Sequence, residues 1–392
     1  MRYNLKTTAL LATIWLSASA CSNLPIQGQY GKPLSKLDVF RTVASTPKGT
    51  AVNFVAKNLS QLDLSGLNLS HAYMSRAFVA DAKFKNAILR QVDLSHADLR
   101  GVDLRGADLS FANLSHANLS GAQLQNAQLE SANLSDANLQ HANLDRANLY
   151  NVNLSGAVLG DTVLSRVYLG NSNLARLDLR NVDLQGSDLS GANLSASNLS
   201  YRDLRNVVLK EADLSFADFT GANMVYANLQ QAQAVGSKFS SANLLGADFS
   251  SANLKRASFR KANLQNARLK YANISEAVFH EADMRNSDLY QVSAYRAIFT
   301  WAKLDGATLS DSDFSNCNFS NSHIIGANLF QSILRNASLT SADVRHSRFN
   351  QVDFFATQVG GADFAGASLR NAKNLNNING LKNARNFEKS LL

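Results

Sequence analysis

Proline is nearly missing from this chain. Three of its 392 residues are proline, Pro25, Pro33 and Pro47, and the 345 residues that follow Pro47 contain none. Each residue there keeps its backbone N–H, as a fold built on continuous backbone hydrogen bonding requires. Cysteine is scarce as well: Cys21 and Cys317 are too few for a disulfide framework. The charged fraction is low at 17%, and the formal net charge of +8 is unevenly placed. Residues 1–50 hold six Lys/Arg against Asp38, and residues 370–392 hold five against Glu388. The body between them carries 27 basic and 28 acidic groups. A neutral body excludes a chain-wide nucleic-acid surface and, equally, an acidic decoy of nucleic acid. No Gly-rich phosphate loop, CxxC or nucleophile elbow occurs, so neither an enzyme nor a cofactor is expected. Beyond the N-terminus, long apolar runs are also missing.

The N-terminus reads MRYNLKTTALLATIWLSASAC. Arg2 and Lys6 precede an apolar run, Ala9 to Leu16, and then small residues, the layout of a secretory signal peptide over 1–20. The run is too short for a bilayer span of about 20 residues. Ala18-Ser19-Ala20-Cys21 resembles the bacterial lipobox, whose cysteine becomes the lipid-modified first residue, and this makes Cys21 the candidate lipidation site. Ala18 stands where the lipobox usually has Leu, Val or Ile, and the same letters satisfy ordinary signal peptidase, so both processing routes stay open. Ser22, in place of an aspartate, favours outer-membrane over inner-membrane sorting if the resemblance holds. Residues 21–34 read as a tether.

From Leu59 to Leu369 every fifth residue is Leu, Ile, Val, Met or Phe, except Ala234 and Ala294. Two residues before each, 58 of 63 positions are Ala, Val, Ser, Thr or Cys. The frame never slips. A period of five is neither helical nor strand-like. It describes a chain that bends at a fixed interval and turns one large and one small side chain inward each time, a solenoid. Phe219, Phe239, Phe259, Phe279, Phe299 and Phe319 set the larger period at 20, or four words per coil. Arg256 with Glu276 and Lys261 with Glu281 keep the same interval, which would bring opposite charges one coil apart. Asn or Asp mostly precedes the large residue, and the last two letters of each word read as free.

Words such as ANLSH, ANLSG and ADLRG resemble the A(D/N)LXX word of the pentapeptide repeat family, over about four fifths of the chain. The resemblance implies an all-β right-handed quadrilateral β-helix with about 16 coils over 57–370, a rod of about 75 Å at the strand spacing. Caps are expected at 35–56, with Ser35 as N-cap and Asp38 at the third position of a short helix. At 371–392, Leu375, Ile378, Leu381, Ala384 and Phe387 fall three apart. Some members of the family dimerise through a C-terminal cap, which leaves a homodimer open.

Departures from the word are the candidate sites. Lys255, Arg256, Arg260, Lys261, Arg268 and Lys270, with no acid between Asp248 and Glu276, form a candidate anion site or a charge ladder. Arg285, Tyr290, Tyr295, Arg296 and Trp301, around the small centre Ala294, form a candidate partner surface. Arg202 takes an inward small position and marks either an outward bend or a local distortion. Cys317 reads as a buried structural thiol. His96, His116 and Asp136 fall 20 apart on the outer wall, and no metal is assigned to them. These features describe an exported, non-enzymatic lipoprotein of the outer membrane, held by its lipid, whose rod serves as a scaffold for an unknown protein partner. An effector delivered to a host protein is a second reading, and a free periplasmic or secreted product a second location. Topoisomerase modulation by DNA mimicry, known in the family, needs an acidic rod. The neutral body therefore predicts that the purified protein leaves gyrase supercoiling unchanged; inhibition at stoichiometric concentration would reinstate mimicry.

Overall fold

The computed structural model describes residues 31–387. The signal peptide, Cys21 and most of the tether lie outside the described residues. A short helix, α1 (Lys36–Ser45), opens the fold. Ser35 caps it reciprocally: its hydroxyl accepts from the Asp38 N–H at 3.2 Å, and Asp38 accepts from the Ser35 N–H at 2.9 Å. Val39 is the buried residue of this helix and joins the core, with Leu34 and Val43 packed beside it. The Leu34 N–H also bonds the Asn58 carbonyl at 2.9 Å, so the segment before α1 lies on the first coil. Helix and segment together cover what would otherwise be a bare sheet edge.

After α1 the chain winds as a four-sided solenoid. Parallel bridges join residue i to residue i+20, and the column from Asn53 to Lys373 holds sixteen in unbroken succession. Bridges fall one per side at all but two points, because the chain turns after every word and no side is long enough for an extended strand. Taking one coil as reference, side 1 centres on Leu114, side 2 on Leu119, side 3 on Leu124 and side 4 on Leu129. The register begins at Asn53, four residues before the expected boundary at 57.

One word shows why this sequence winds this way. In Ala112–His116 the five backbone N–H groups have five different destinations. Ala112 donates to Leu109 across the turn (3.0 Å), Asn113 to Val92 on the preceding coil (2.9 Å), and Leu114 and His116 to Asn133 and Ser135 on the next (2.7 and 2.9 Å). The remaining N–H, of Ser115, points away from both neighbours and is taken by the Asn113 side chain, Oδ1, at 3.2 Å. This Asx turn is the physical reason for Asn or Asp in the middle of the word. It recurs at Asp63, Asn68, Asp213, Asn273 and Asp363.

The fifth letter corrects an expectation. It is not free: His116 has φ of 56°, Phe111 61° and Trp301 60°, the left-handed region that a type II turn demands at its third residue. Gly, Asn, Asp and His are frequent there, and from residue 56 to 371 the position never holds Val, Ile, Thr or Pro, the residues that region tolerates least.

Inside, the phenylalanine column stacks as its spacing predicts. Ring centroids from Phe219 to Phe319 lie 4.7 to 5.1 Å apart with planes within 8°. Phe249 meets Phe239 and Phe259 edge-on from the opposite side, at 5.7 Å each. Where Ser or Thr replaces the inward alanine, its hydroxyl donates to a nearby carbonyl, as Ser172 does to Leu149 (2.6 Å) and Thr357 to Leu334 (2.8 Å). Small hydroxyls are therefore admitted to an apolar core without an orphaned donor. Cys317 behaves alike: its Sγ donates to Ala294 O at 2.8 Å, and burial pushes its thiol pKa up, as befits a structural residue. Ala294 itself stays buried and in register, donating to Asp313 at 2.8 Å.

The last coil widens. Bridges at Lys373, Asn379 and Arg385 fall six residues apart, with 3₁₀ turns at Leu375–Asn377 and Leu381–Asn383 taking up the additional residue. Phe387 closes the end edge-on against Phe364, 5.0 Å between centroids. Phe259→Ala, which removes one ring from the middle of the stack, is expected to cost about 3–5 kcal/mol, read as a lowered urea midpoint; a cost under about 1 kcal/mol would show that the stack is not a tight core.

Candidate functional site

In the solenoid the second, fourth and fifth letters of each word reach the outer wall, so every site must be assembled from neighbouring coils and corners. The register fixes which residues meet. Among the six basic candidates, Lys255 and Arg256 stand at the corner between sides 1 and 2, Arg260 and Lys261 at the corner between sides 2 and 3, Lys270 at the corner between sides 4 and 1, and Arg268 on side 4. They do not share a face. Five of the six have a carboxylate partner: Lys255 and Arg256 meet Glu276 at 3.7 and 2.8 Å, Lys261 meets Glu281 at 3.6 Å, Arg268 meets Asp248 at 3.8 Å, and Lys270 meets Asp288 at 3.1 Å. Glu276 is held below the ordinary carboxylate range, first by its hydrogen bond from Arg256. No ion pair joins Arg260 among the described residues.

The second candidate group is also divided. Arg285, Tyr290, the Tyr295–Arg296 pair and Trp301 occupy four successive corners and encircle the rod. Arg285 is engaged by Asp283 through two bonds of 2.8 and 2.6 Å, Tyr290 meets Tyr271 edge-on at 5.8 Å, and Arg296 lies over the Tyr295 ring at 5.0 Å. The Arg285 pairing belongs to a recurring unit. In words of the form D-x-R, Asp103, Asp178, Asp203, Asp283 and Asp343 each bind the arginine two residues on, and that bond heads the causes that lower their pKa. For Asp283 burial opposes it more strongly than the bond favours it, yet the net direction is still down.

A third feature escaped the sequence reading. Tyr201, Phe216 and Tyr226 are the most exposed large apolar side chains, at 72, 67 and 63%. Each occupies a fifth letter, and each rests a ring edge on the glycine one coil later, Gly221, Gly236 and Gly246, where a Cβ would come within 2.6, 2.9 and 2.5 Å of the ring. Tyr201 and Phe216 stand on the two corners that flank side 2, with Asn198, Asp218 and Lys238 in the column between them. The signal was an aromatic fifth letter followed by glycine 20 residues on.

His96 and His116 stack in parallel, 4.7 Å between centroids, and His116 reaches Asp136 at 3.8 Å. Parallel rings do not converge their nitrogens, and no group of three or more metal-ligating side chains is found among the described residues.

A model of pentapeptide repeats matches overlapping segments from residue 53 to residue 371. The chain belongs to the pentapeptide repeat family. Proteins of this family are generally structural or interaction proteins rather than enzymes. Among solved structures the chain is similar to HetL, a pentapeptide repeat protein involved in heterocyst differentiation regulation in the cyanobacterium Nostoc sp.; identity is 30% over 60% of this chain and 96% of HetL, with a TM-score of 0.43. A trypsin-treated form of QnrB1, a plasmid-mediated fluoroquinolone resistance protein, aligns at 19% identity over 52% of this chain and 95% of its own, TM-score 0.37. A pentapeptide repeat protein of the Arabidopsis thaliana thylakoid lumen aligns at 30% over 28% and 66%, TM-score 0.17. No curated protein matches the chain significantly.

Within this pentapeptide repeat wall, His96 has a pKa lowered from its ordinary value. Burial first, then the charges of His116 and Arg76, lower its pKa, against a smaller opposing pull from Asp93. A lowered folded pKa means that the unfolded chain takes up the proton first as pH falls. Stability should therefore decline from about pH 6.5 down through the folded midpoint, and His96→Gln should flatten that decline in urea melts across pH 7 to 5. An unchanged slope in the variant would remove His96 as its source.

Proposed function

We propose that this pentapeptide repeat protein is a non-enzymatic exported scaffold, held to the outer membrane by a lipid on Cys21, whose rod presents its wall to another protein. The observation that carries the reading is a solenoid of sixteen consecutive steps in which every side chain outside the core belongs to a repeated wall position. Such a wall offers recognition rather than a sequestered reaction chamber. The exposed aromatics Tyr201 and Phe216, flanking the polar column of side 2, are the part of that wall best suited to a partner, since exposed aromatic residues dominate protein recognition energetics. Right-handed winding is inferred from the strong preference of parallel crossover connections for that hand. The export and anchor rest on the basic start, apolar run and small-residue junction at Ala18–Cys21. Metabolic labelling with a fatty acid in a Gram-negative host tests the anchor: label should enter the wild type, be blocked by globomycin and disappear in Cys21→Ser. A soluble, unlabelled wild-type product would leave a rod without a membrane tie.

A further inference from the structure

The bridge columns are complete from Asn53 to Arg385 except at two points: Val158 does not bridge Asp178, and Asp183 does not bridge Asp203. The first gap lies on side 2 and the second on side 3, one coil further on, so both border the same corner. At the first gap the N–H groups of Gly156, Leu159, Asp161 and Asp178 lack the coil-to-coil bonds made by their counterparts elsewhere. At the second, those of Asn181, Leu184, Gly186 and Asp203 lack them. Asn181, at the shared corner between the gaps, is also the one fifth letter from 56 to 371 without positive φ.

The sequence supplies a cause. From Ala72 to Ala367 the small inward position never holds a residue larger than valine, with two exceptions, Leu177 and Arg202. Each stands immediately before a residue whose bridge to the preceding coil is missing, Asp178 and Asp203. Stacked coils sit about 4.8 Å apart, and the inward position meets its own column above and below. Leu177 must therefore fit between Ala157 and Ser197, and Arg202 between Val182 and Ala222. Overfilling a tight layer moves backbone. The strain is visible in the exposure of core residues at the first gap, Ala157 at 8% and Leu177 at 6%, and in Arg202, whose Nε is buried without a partner among the described residues.

The diagonally opposite corner, between sides 4 and 1, is closed and reinforced. There the Asn151 and Asn171 N–H groups keep their coil-to-coil bonds, at 2.8 and 2.9 Å. Tyr150 and Tyr168 stack at 5.4 Å, their rings pack against Gly170, and Asn171 Nδ2 donates to Tyr150 Oη at 2.7 Å. We propose that the two seams form a hinge: the rod is two stiff arms, one before Gly156 and one after Gly186–Asp203, which open and close at the corner of Asn181 about the tyrosine-pinned corner opposite. The inference does not depend on export or anchoring. It gives the scaffold an adjustable angle, with Tyr201, its most exposed aromatic, at the moving corner.

Hydrogen exchange on the full chain tests the seams. Peptides covering 156–161 and 181–186 should exchange at least tenfold faster than the matching words at 136–141 and 221–226. Leu177→Ala with Arg202→Ala, which restores the small residue at both positions, should slow them to the level of those neighbours. The converse variant, Ala117→Leu, should create a new fast segment at 96–101. Motion is read separately by spin-label distances across five coils in a Cys21→Ser chain, with Ser120→Cys and Thr220→Cys at the opening corner and Ser131→Cys with Gln231→Cys at the pinned one; the buried Cys317 is shielded from label. The first pair should give a broad distribution that narrows to about 24 Å in the double alanine variant, and the second a narrow one in both proteins. Equal exchange at seams and neighbours, fast exchange that persists in the double alanine variant, or a narrow opening-corner distribution in the wild type would each overturn the hinge.

Discussion

The coil-to-coil backbone hydrogen bond is the interaction on which the rest of this molecule depends. A word of five residues has five N–H groups to satisfy, and three of them can be satisfied only by the coils above and below. That requirement fixes the 20-residue register, excludes proline, and forces the remaining two donors into a turn and onto an asparagine or aspartate side chain. Apolar burial fills the interior once the register exists, but it does not choose the register: leucine or phenylalanine at every fifth position would serve a coil of three or five words equally well. Stacking of identical side chains, above all in the phenylalanine column, follows that register, with rings 20 residues apart lying 4.7 to 5.1 Å from one another.

Much of this was legible in the sequence because the constraint repeats so often. The five-residue frame, the 20-residue coil, the helix capped by Ser35 and Asp38, and the change of period near Leu375 all follow from spacing. Other features stayed hidden for physical reasons. The role of Asn113 and its equivalents depends on which N–H is left over, and that is a property of the three-dimensional ladder. The handedness of the fifth letter was written in the absence of β-branched residues, a depletion easily passed over beside the conspicuous leucines. Arg202 was seen as an anomaly, but its consequence for Asp203 needed the backbone.

The surface candidates show the opposite lesson. Basic residues close in sequence between Lys255 and Lys270 are scattered by the register over three corners and a side, and Arg285 to Trp301 are wound around a whole coil. In a solenoid, proximity along the chain within one turn means separation around the circumference, whereas residues 20 apart are neighbours. Tyr201 and Phe216, fifteen apart, flank one side for that reason. A recognition surface on such a wall has to be read down columns.

The left-handed fifth letter has an effect on how this wall can change over time. Its side chain projects from a backbone already committed to its conformation by the turn, and the core takes no part in its choice. Arginine, glutamate, tyrosine, tryptophan, serine and glycine all occur there with φ within a narrow band. Each corner is thus an address on a grid, about one strand spacing tall, whose occupant can be exchanged without moving its neighbours beyond the adjoining coil. A protein built in this way can acquire, lose or relocate a contact by single substitutions, and its specificity can drift while its architecture stands still.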